Sequence, residues 1–276
     1  MALKITRIKL RIAKILYYCT KVFYKSNKQN VRRRGINFEL YLNEGIDLHI
    51  FLLGGFQTHV YKNKLITINP TDIIFDVGAN IGVMSLFFAK QAYNGFVYSF
   101  EPTYYAVEKF NRNMQLNPDL SNHIKMDQCF VSYESMETSN LVAYSSWPVN
   151  DTENEKHSIH CGVAKDTTDI PSISLDDYVA LEKINKLDLI KIDTDGHEFK
   201  VLQGAQTILK TLRPKIILEI GIYIMQEHNL SFADYHRIFQ TCKYKLYTVK
   251  GKQITPQNYT KHIPKYGTID MIAIPL

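Results

Sequence analysis

Four carboxylate side chains come at or near the ends of apolar runs, where an α/β sheet could present them to a ligand. They are Asp76, Glu101, Asp193 and Glu219. In such sheets, ligands bind in the crevice at the carboxyl ends of the parallel strands. The spacing therefore predicts a ligand site whose walls carry several carboxylates.

A glycine turn follows the first of these carboxylates. Gly78 and Gly82 bracket Asn80, and a helix is predicted to leave the turn with its free N–H groups facing the ligand. The dinucleotide pattern G-x-G-x-x-G fails, since two of its three glycines are replaced. Asp76 would repel a pyrophosphate but suits the cationic amino group or sulfonium of S-adenosylmethionine, and Glu101 can accept the ribose hydroxyls that either cofactor offers. The turn therefore favours S-adenosylmethionine.

A second informative segment runs from Asp193 to Glu198. Asp193 ends a predicted strand in the crevice. Asp195 and Glu198 fit a capping box for the next helix, which would give both a structural role. His197 could take a proton from a hydroxyl near neutral pH, or be a partly exposed helix residue. No metal is expected, and the less favoured alternative is a divalent cation held by Asp193 and Glu219.

Apolar periodicity and turn residues predict an alternation of strands and helices. The predicted strands are 73–77, 96–100, 124–131, 188–193, 215–220, 243–249 and 268–274, and the helices are 81–92, 103–116, 174–184, 196–212 and 232–241. This alternation predicts a mostly parallel sheet between helix layers.

The 276 residues, 45% of them hydrophobic, suffice for one α/β domain with extra segments. We expect a basic amphipathic arm at 1–35 and a single domain at 36–276, with an inserted loop or hairpin region at about 133–171 that could act as a substrate lid. That region holds three candidate metal ligands, disfavoured for lack of a fourth: His157, His160 and Cys161. The four cysteines form no CxxC pair and predict reduced thiols.

The amino-terminal segment is strongly basic. Residues 1–34 hold eleven Lys or Arg and no Asp or Glu, although the whole chain carries only +6. Apolar and cationic residues recur at helical spacing as two adjacent stripes. The segment lacks the apolar length of a spanning helix or a signal peptide. It could dock on the domain with a solvated basic face, lie on an anionic membrane, or, less favoured, bind nucleic acid.

Together these motifs resemble the FkbM family of S-adenosylmethionine-dependent methyltransferases. The matching pieces fall in the family's order over roughly 53–276: Asp76–Gly82, Phe100–Pro102, Ser174–Asp176, Lys191–Glu198, Val201–Ala205 and Pro214–Ile220. Two departures stand out. The family often has Val-Glu-Gly where this chain has Thr194-Asp195-Gly196, and a glutamate near the position of Gln57.

The resemblance implies a class I methyltransferase fold: a Rossmann-like three-layer sandwich whose seven-stranded, mostly parallel sheet has an antiparallel last strand. It also implies methyl transfer, usually to a hydroxyl of a sugar, glycan or secondary metabolite. By position, the residues expected to hold the cofactor are Asp76, Gly78, Asn80, Gly82, Glu101 and Pro102. Asp193 and His197 are the candidate catalytic residues.

Two rival functions remain open from the sequence. One is a nicotinamide-dependent oxidoreductase, and the other is a non-catalytic membrane-docking or scaffold protein with a degenerate pocket. A nucleic-acid substrate is disfavoured because no Asn/Asp-Pro-Pro-Tyr/Phe segment or Pro-Cys dipeptide is present. The expected location is the cytoplasm, including the inner membrane surface. The sequence does not name the methyl acceptor or the oligomeric state.

Overall fold

The computed structural model describes the backbone of residues 2–138, 143–145, 163–165 and 167–276, and the side chains of 11–138 and 167–276. Its strands are β1 Lys28–Arg33, β2 Ile36–Tyr41, β3 Ile73–Val77, β4 Phe96–Phe100, β5 Ile124–Asp127, β6 Phe130–Val131, β7 Ala143–Ser145, β8 Val163–Lys165, β9 Ser172–Ile173, β10 Leu189–Ile192, β11 Lys215–Gly221, β12 Tyr244–Thr248, β13 Gln253–Ile254 and β14 Thr268–Pro275. Its helices are α1 Ala2–Phe23, α2 Gly45–Leu53, α3 Thr58–Tyr61, α4 Val83–Gln91, α5 Tyr104–Gln115, α6 Pro118–Ser121, α7 Leu175–Leu181, α8 Glu198–Gln203, α9 Gln206–Thr211, α10 Ile222–Glu227, α11 Phe232–Thr241 and α12 Tyr259–His262.

One large sheet organises the fold, with strand order β13-β12-β14-β11-β10-β3-β4-β5. The strands from β11 through β10, β3 and β4 to β5 are parallel, whereas β14 is antiparallel to both β11 and β12. The mostly parallel sheet with an antiparallel last strand is therefore confirmed. The short edge strand β13 brings the count to eight rather than the predicted seven.

Alternate residues of the central strands feed two hydrophobic cores, one on each face of the sheet. In β10, Ile190 and Ile192 belong to a core with α7, α8, α9 and α11, while Leu189 belongs to the opposite core with α2, α4 and α5. This division follows from the two-residue period of a strand. The helices that pack on the two faces of the sheet make the fold three-layered. Lys191, two residues after Leu189, lies on the same face of the sheet as Leu189.

Two predicted elements are interrupted in the structure. The predicted strand 124–131 ends at Asp127, because the chain then leaves the sheet and β6 pairs with β9. The predicted helix 196–212 splits into α8 and α9 at Gly204, where a Cβ atom would lie 2.1 Å from the carbonyl oxygen of Ser132. The Asp176 carboxylate accepts hydrogen bonds from the Thr207 and Ile208 N–H groups and so caps α9 separately.

The basic segment is only partly helical. Helix α1 ends at Phe23, and β1 pairs with β2 in an antiparallel hairpin that includes residues on both sides of position 35. None of the described helices is long and apolar enough to cross a membrane. Within the predicted insertion, β7 pairs antiparallel with β8. The candidate ligands His157, His160 and Cys161 lie outside the described residues.

Candidate functional site

A pocket opens at the carboxyl ends of β3, β4 and β10. The space inside it measures about 510 Å³ including its open mouth. It is lined by Val77, Gly78, Asn80, Phe100, Glu101, Pro102, Cys129, Phe130, Val131, Asp193, Thr194, Asp195 and His197. Six of the predicted site residues therefore share one pocket: Gly78, Asn80, Glu101, Pro102, Asp193 and His197.

The glycine turn forms one wall. The N–H groups of Gly78 and Ala79 both donate to the Phe100 carbonyl oxygen at 3.0 Å, which ties the turn to the end of β4. Gly78 has φ of 74°, and a Cβ atom on it would lie 1.8 Å from the carbonyl oxygen of Asp193. Only glycine permits both this backbone conformation and this approach. The turn is therefore packed directly against the end of β10.

Glu101 is held rigidly at the pocket wall. Its Oε2 atom accepts the Asn80 N–H at 2.9 Å, and its Oε1 atom accepts the N–H and hydroxyl of Thr103 at 3.0 and 2.6 Å. Burial raises the pKa of this carboxyl group, while the hydrogen bonds from Thr103 and Asn80 oppose the shift. Three donors fix the carboxylate, and one lone pair, on Oε2, is left for a ligand.

Two predicted cofactor residues lie behind the pocket wall rather than on it. Gly82 begins α4 with φ of 81°, and a Cβ atom there would lie 2.1 Å from the ring of Phe110, so its visible role is packing. Asp76 is fully buried, and its Oδ2 atom accepts the Ser85 hydroxyl at 2.6 Å. The side chain of Asp76 faces the core between β3 and α4, because alternation along β3 places it on the face of Ile74.

A buried lysine explains how Asp76 can stay inside. Lys191 and Asp76 are cross-strand partners in the β10–β3 pair, and Lys191 Nζ lies 3.3 Å from Asp76 Oδ1 and 3.4 Å from Asp193 Oδ2. It also donates to the Gly78 carbonyl oxygen at 3.0 Å. Burial acts to lower the pKa of Lys191, but the Asp193 and Asp76 carboxylates outweigh it and raise that pKa. Lys191 is therefore a cation that contacts both the glycine turn and the Asp193 carboxylate at the end of β10.

Asp193 stands between this lysine and the pocket. Its Oδ2 atom also accepts a hydrogen bond from the Gln57 side-chain amide at 2.9 Å, and its side chain is partly exposed. Gln57 has φ of 45° and immediately precedes α3. The contact brings a segment 136 residues away in sequence onto the pocket. The Lys191 ammonium group and the Gln57 side-chain amide therefore fix the orientation of the Asp193 carboxylate.

The segment after Asp193 differs from the predicted capping box. The helix α8 begins at Glu198, and the Glu198 Oε1 atom accepts the N–H groups of Thr194 and Gly196 and the Thr194 hydroxyl. Asp195 has φ of 51° and is released from capping to line the pocket. Asp195 is itself an exposed residue, and the nearby Asp193 and Glu198 carboxylates act to raise its pKa above the ordinary value.

His197 and Glu219 flank this edge. His197 lines the pocket, and its ring centroid lies 5.9 Å from that of His228. Glu219 lies inside β11 rather than at its end, and its Oε1 atom accepts the Thr268 hydroxyl at 2.6 Å. Burial and the Asp193 charge raise the pKa of Glu219 well above its ordinary value. Among the described residues, no group of three or more His, Cys, Asp or Glu side chains could hold a metal ion.

Sequence reasoning missed two polar positioning residues and one apolar wall. Lys191 was a detectable anomaly, since it is a lone lysine within an apolar strand. The only sequence signal at Gln57 was that the family often has a glutamate near this position. The apolar wall formed by Cys129, Phe130 and Val131 was hidden inside a predicted continuous strand.

Comparison with known proteins adds independent findings. Residues 76–246, more than half of the chain, match the family described as the methyltransferase FkbM domain. The methyltransferase sdnD of Sordaria araneosa is 29% identical over 173 residues, covering 54% of this chain and 65% of that protein. The hexuronic acid methyltransferase AglP of Haloferax volcanii is 25% identical over 149 residues, covering 54% and 56% respectively. The chain thus spans less than two thirds of the length of each relative.

Among solved structures, the methyltransferase FkbM from Methylobacillus flagellatus KT is similar with a TM-score of 0.49 and 15% identity, covering 76% of this chain and 45% of that one. The family match includes the whole of the glycine turn, Glu101 and the Asp193 segment. The chain therefore belongs to the methyltransferase FkbM domain family.

Proposed function

We propose that this protein transfers the methyl group of S-adenosylmethionine to a hydroxyl of a sugar, glycan or secondary metabolite. The observation that carries the proposal is the pocket itself. In a chain of this family, a fixed carboxylate on one wall, Glu101, faces the same space as the partly exposed Asp193. Methyl transfer to a hydroxyl needs a place for the cofactor and a group that accepts the hydroxyl proton.

The residues present fit the cofactor. Gly78 and Asn80 line the pocket at the glycine turn, and Glu101 Oε2 offers a lone pair to a ribose hydroxyl. The Phe130 and Val131 wall offers apolar surface for a base. Asp193 lies beside the turn, where its negative charge favours an amino group or sulfonium and disfavours a pyrophosphate. This last argument moves from Asp76 to Asp193, since Asp76 is buried behind the pocket wall beside Lys191.

The chain's own groups would then do the following work. The cofactor, when bound, supplies an electrophilic methyl group that needs little further activation. The pocket walls hold the donor and acceptor in line, which is the largest contribution expected from a positioning site. Asp193, oriented by Gln57 and Lys191, or His197 accepts the hydroxyl proton. Both residues line the pocket.

One relative and the polarity of the pocket edge around Asp193 support the proposed acceptor class. AglP is by name a hexuronic acid methyltransferase, which supports a sugar or glycan acceptor. The edge around Asp193 combines carboxylates, the Gln57 amide and His197, and such groups bind hydroxyl-rich ligands well. A sugar, glycan or polyhydroxylated metabolite is therefore proposed.

The test separates cofactor binding from turnover. Calorimetry with S-adenosylmethionine and with NAD should show micromolar binding of the former alone. The substitution Asp193→Asn should leave that affinity within about threefold and lower turnover on an active acceptor by about 10²–10⁴-fold. Asp234→Asn, a carboxylate that caps α11 away from the pocket, serves as the matched control. Selective NAD binding would favour the oxidoreductase, and binding of neither would favour the scaffold. Near-normal turnover of Asp193→Asn would show that Asp193 is not needed to accept the hydroxyl proton.

A further inference from the structure

From residue 11 onward, where its side chains are described, helix α1 exposes most of its apolar residues. Among its described side chains, Tyr17 and Thr20 are buried against the domain. On a helical projection the opposite side is a stripe about 120° wide. It is exposed and consists of Ile12, Ile15, Leu16, Cys19, Val22 and Phe23. This arrangement reverses the expected docked helix, in which an apolar face packs inward and a basic face is solvated.

The exposed fractions are large enough to require a partner. Val22 and Phe23 are 77% and 81% exposed, although single exposed apolar residues are unremarkable. A contiguous stripe on one helix is different, because each member would gain free energy by leaving water. Tyr17 also donates a hydrogen bond to Asn27 at 3.0 Å, which holds the helix with its stripe outward.

The stripe continues onto the end of α2. The rings of Tyr24 and Phe51 meet edge to face at 5.1 Å, and Leu53, two residues later, is 68% exposed. Arg33 lies over the Phe51 ring and Arg34 donates to the Gly54 carbonyl oxygen at 2.9 Å. Exposed apolar side chains and arginines therefore share one surface, formed by α1, the β1–β2 turn and the end of α2. We call it the α1–α2 surface.

We propose that the α1–α2 surface docks on an anionic membrane. Residues 1–34 hold eleven cationic residues and no acidic one, and Arg33 and Arg34 contribute to this surface. An apolar stripe flanked by Lys and Arg is the composition of helices that lie in the plane of a bilayer interface. Each cation near an anionic surface favours binding by about fivefold. A second copy of the chain would instead bring like charges together, and a nucleic acid would leave the stripe exposed.

The α1–α2 surface is also close to the pocket along the chain. Four residues after Leu53, Gln57 donates its hydrogen bond to Asp193. The α2–α3 connection therefore links the docking surface to the edge where an acceptor would enter. Docking does not depend on the proposed methyl transfer, and either could hold without the other.

Flotation of the full-length protein with vesicles tests the proposal. We expect binding to phosphatidylcholine vesicles that contain one quarter phosphatidylglycerol, and at least about tenfold weaker binding to phosphatidylcholine alone. The double substitution Val22→Ser/Phe23→Ser should weaken binding to the anionic vesicles by at least about tenfold. Lys25→Gln/Arg32→Gln removes two exposed cations and should weaken it similarly, with strong dependence on salt. Leu181→Ser, an equally exposed apolar residue on α7, should change nothing.

The double serine substitution removes only exposed groups, so its fold and melting temperature should match the wild type. Equal vesicle binding by wild type and Val22→Ser/Phe23→Ser would overturn the proposal. So would a wild-type dimer in sedimentation velocity that this variant dissociates while neither binds vesicles, since the stripe would then be a self-association surface. Binding to a single-stranded RNA probe without any vesicle binding would likewise reassign the surface.

Discussion

Two buried lysines in this molecule each sit between two carboxylates, yet their surroundings differ. Lys109, on α5, places its Nζ atom 3.0 Å from Glu44 Oε2 and 2.6 Å from Asp47 Oδ2. The same Asp47 oxygen accepts the Tyr41 N–H, and the Glu44 carboxylate accepts the Tyr105 hydroxyl. Glu44, Asp47 and Lys109 are buried, so this cluster holds α2 and the hairpin on α5. Lys109 also lines a second pocket with Tyr41 and Tyr105, and neither carboxylate belongs to the lining of that pocket.

The second cluster, around Lys191, is open on one side. Lys191 Nζ lies 3.3 and 3.4 Å from Asp76 and Asp193, longer than the Lys109 contacts, and Asp193 reaches the pocket. The two clusters combine the same charged groups in different roles. The closed cluster, Lys109 with Glu44 and Asp47, holds elements of the chain together. The open cluster, Lys191 with Asp76 and Asp193, also presents the Asp193 carboxylate to a ligand in a fixed position. Replacing each lysine separates the two roles.

The largest effect is expected from Lys191→Met. It leaves Asp76 buried without its cation, and removing one partner of a buried ion pair costs about 3–5 kcal/mol of unfolding free energy. Turnover should fall as well, because Asp193 loses its support. Urea denaturation at pH 7 measures the first effect. Adding Asp76→Asn should restore part of the stability without restoring turnover. A Lys191→Met protein as stable as wild type would show that Asp76 is compensated by other groups.

A smaller loss is expected from Lys109→Met, about 2–4 kcal/mol, because Asp47 and Glu44 keep the backbone N–H of Tyr41 and the hydroxyl of Tyr105 as donors. S-adenosylmethionine affinity and turnover should stay within about twofold, measured where the variant is still folded. A loss of turnover comparable to that of Lys191→Met would erase the distinction between a closed and an open cluster.

Sequence patterns predicted the sheet and the crevice because both depend on local periods. Apolar runs of period two ended where carboxylates began, and Asn80, Glu101 and Asp193 lie together as expected. The burial of the Asp76 side chain in the core was not predicted, because its partner there depends on the register between β3 and β10. Lys191 becomes its partner only when β10 pairs with β3, and residues 115 apart in sequence must meet. The Gln57–Asp193 contact is similarly non-local.

The pH dependence of stability distinguishes the closed cluster further. Burial and the Glu44 charge, opposed by Lys109, raise the pKa of Asp47 from 3.8 to about 6. As pH rises from 4, the unfolded chain releases this proton first, while the folded protein retains it until about pH 6. The contribution of Asp47 to unfolding free energy therefore falls across this window, by on the order of 2–3 kcal/mol.

The substitution Asp47→Asn removes that titration. The unfolding free energy of wild type minus that of Asp47→Asn should therefore decrease between pH 4 and pH 7, measured by urea denaturation at each pH. Subtracting the variant cancels the titrating groups that do not interact with Asp47, including the carboxyls of the open cluster. A difference independent of pH would mean that Asp47 ionises as easily in the folded protein as in the unfolded chain.

The smallest effect on activity is expected from replacing Gln57, the uncharged hydrogen-bond partner of Asp193. Gln57 donates to Asp193 at 2.9 Å, at a position near which the family often carries glutamate. The substitution Gln57→Glu exchanges a donor for a second carboxylate, and two carboxylates that share a site resist ionising together. If the ionised Asp193 is needed for turnover, the acidic limb of the kcat/KM profile should move upward by about one pH unit, a cost of about 1.4 kcal/mol at low pH. Above that limb, activity should recover.

Gln57→Leu provides the matched control, because it removes the hydrogen bond without adding charge. It should lower kcat/KM by about tenfold at every pH, through weaker orientation of Asp193, without moving the acidic limb. Parallel loss in both variants with no displacement of the limb would mean that Gln57 acts through packing alone. A displaced limb in Gln57→Glu only would show that the open cluster tolerates a change of charge at its mouth. The closed cluster around Lys109 presents no carboxylate in this way, since Glu44 and Asp47 are buried and its lysine, not its carboxylates, lines a pocket.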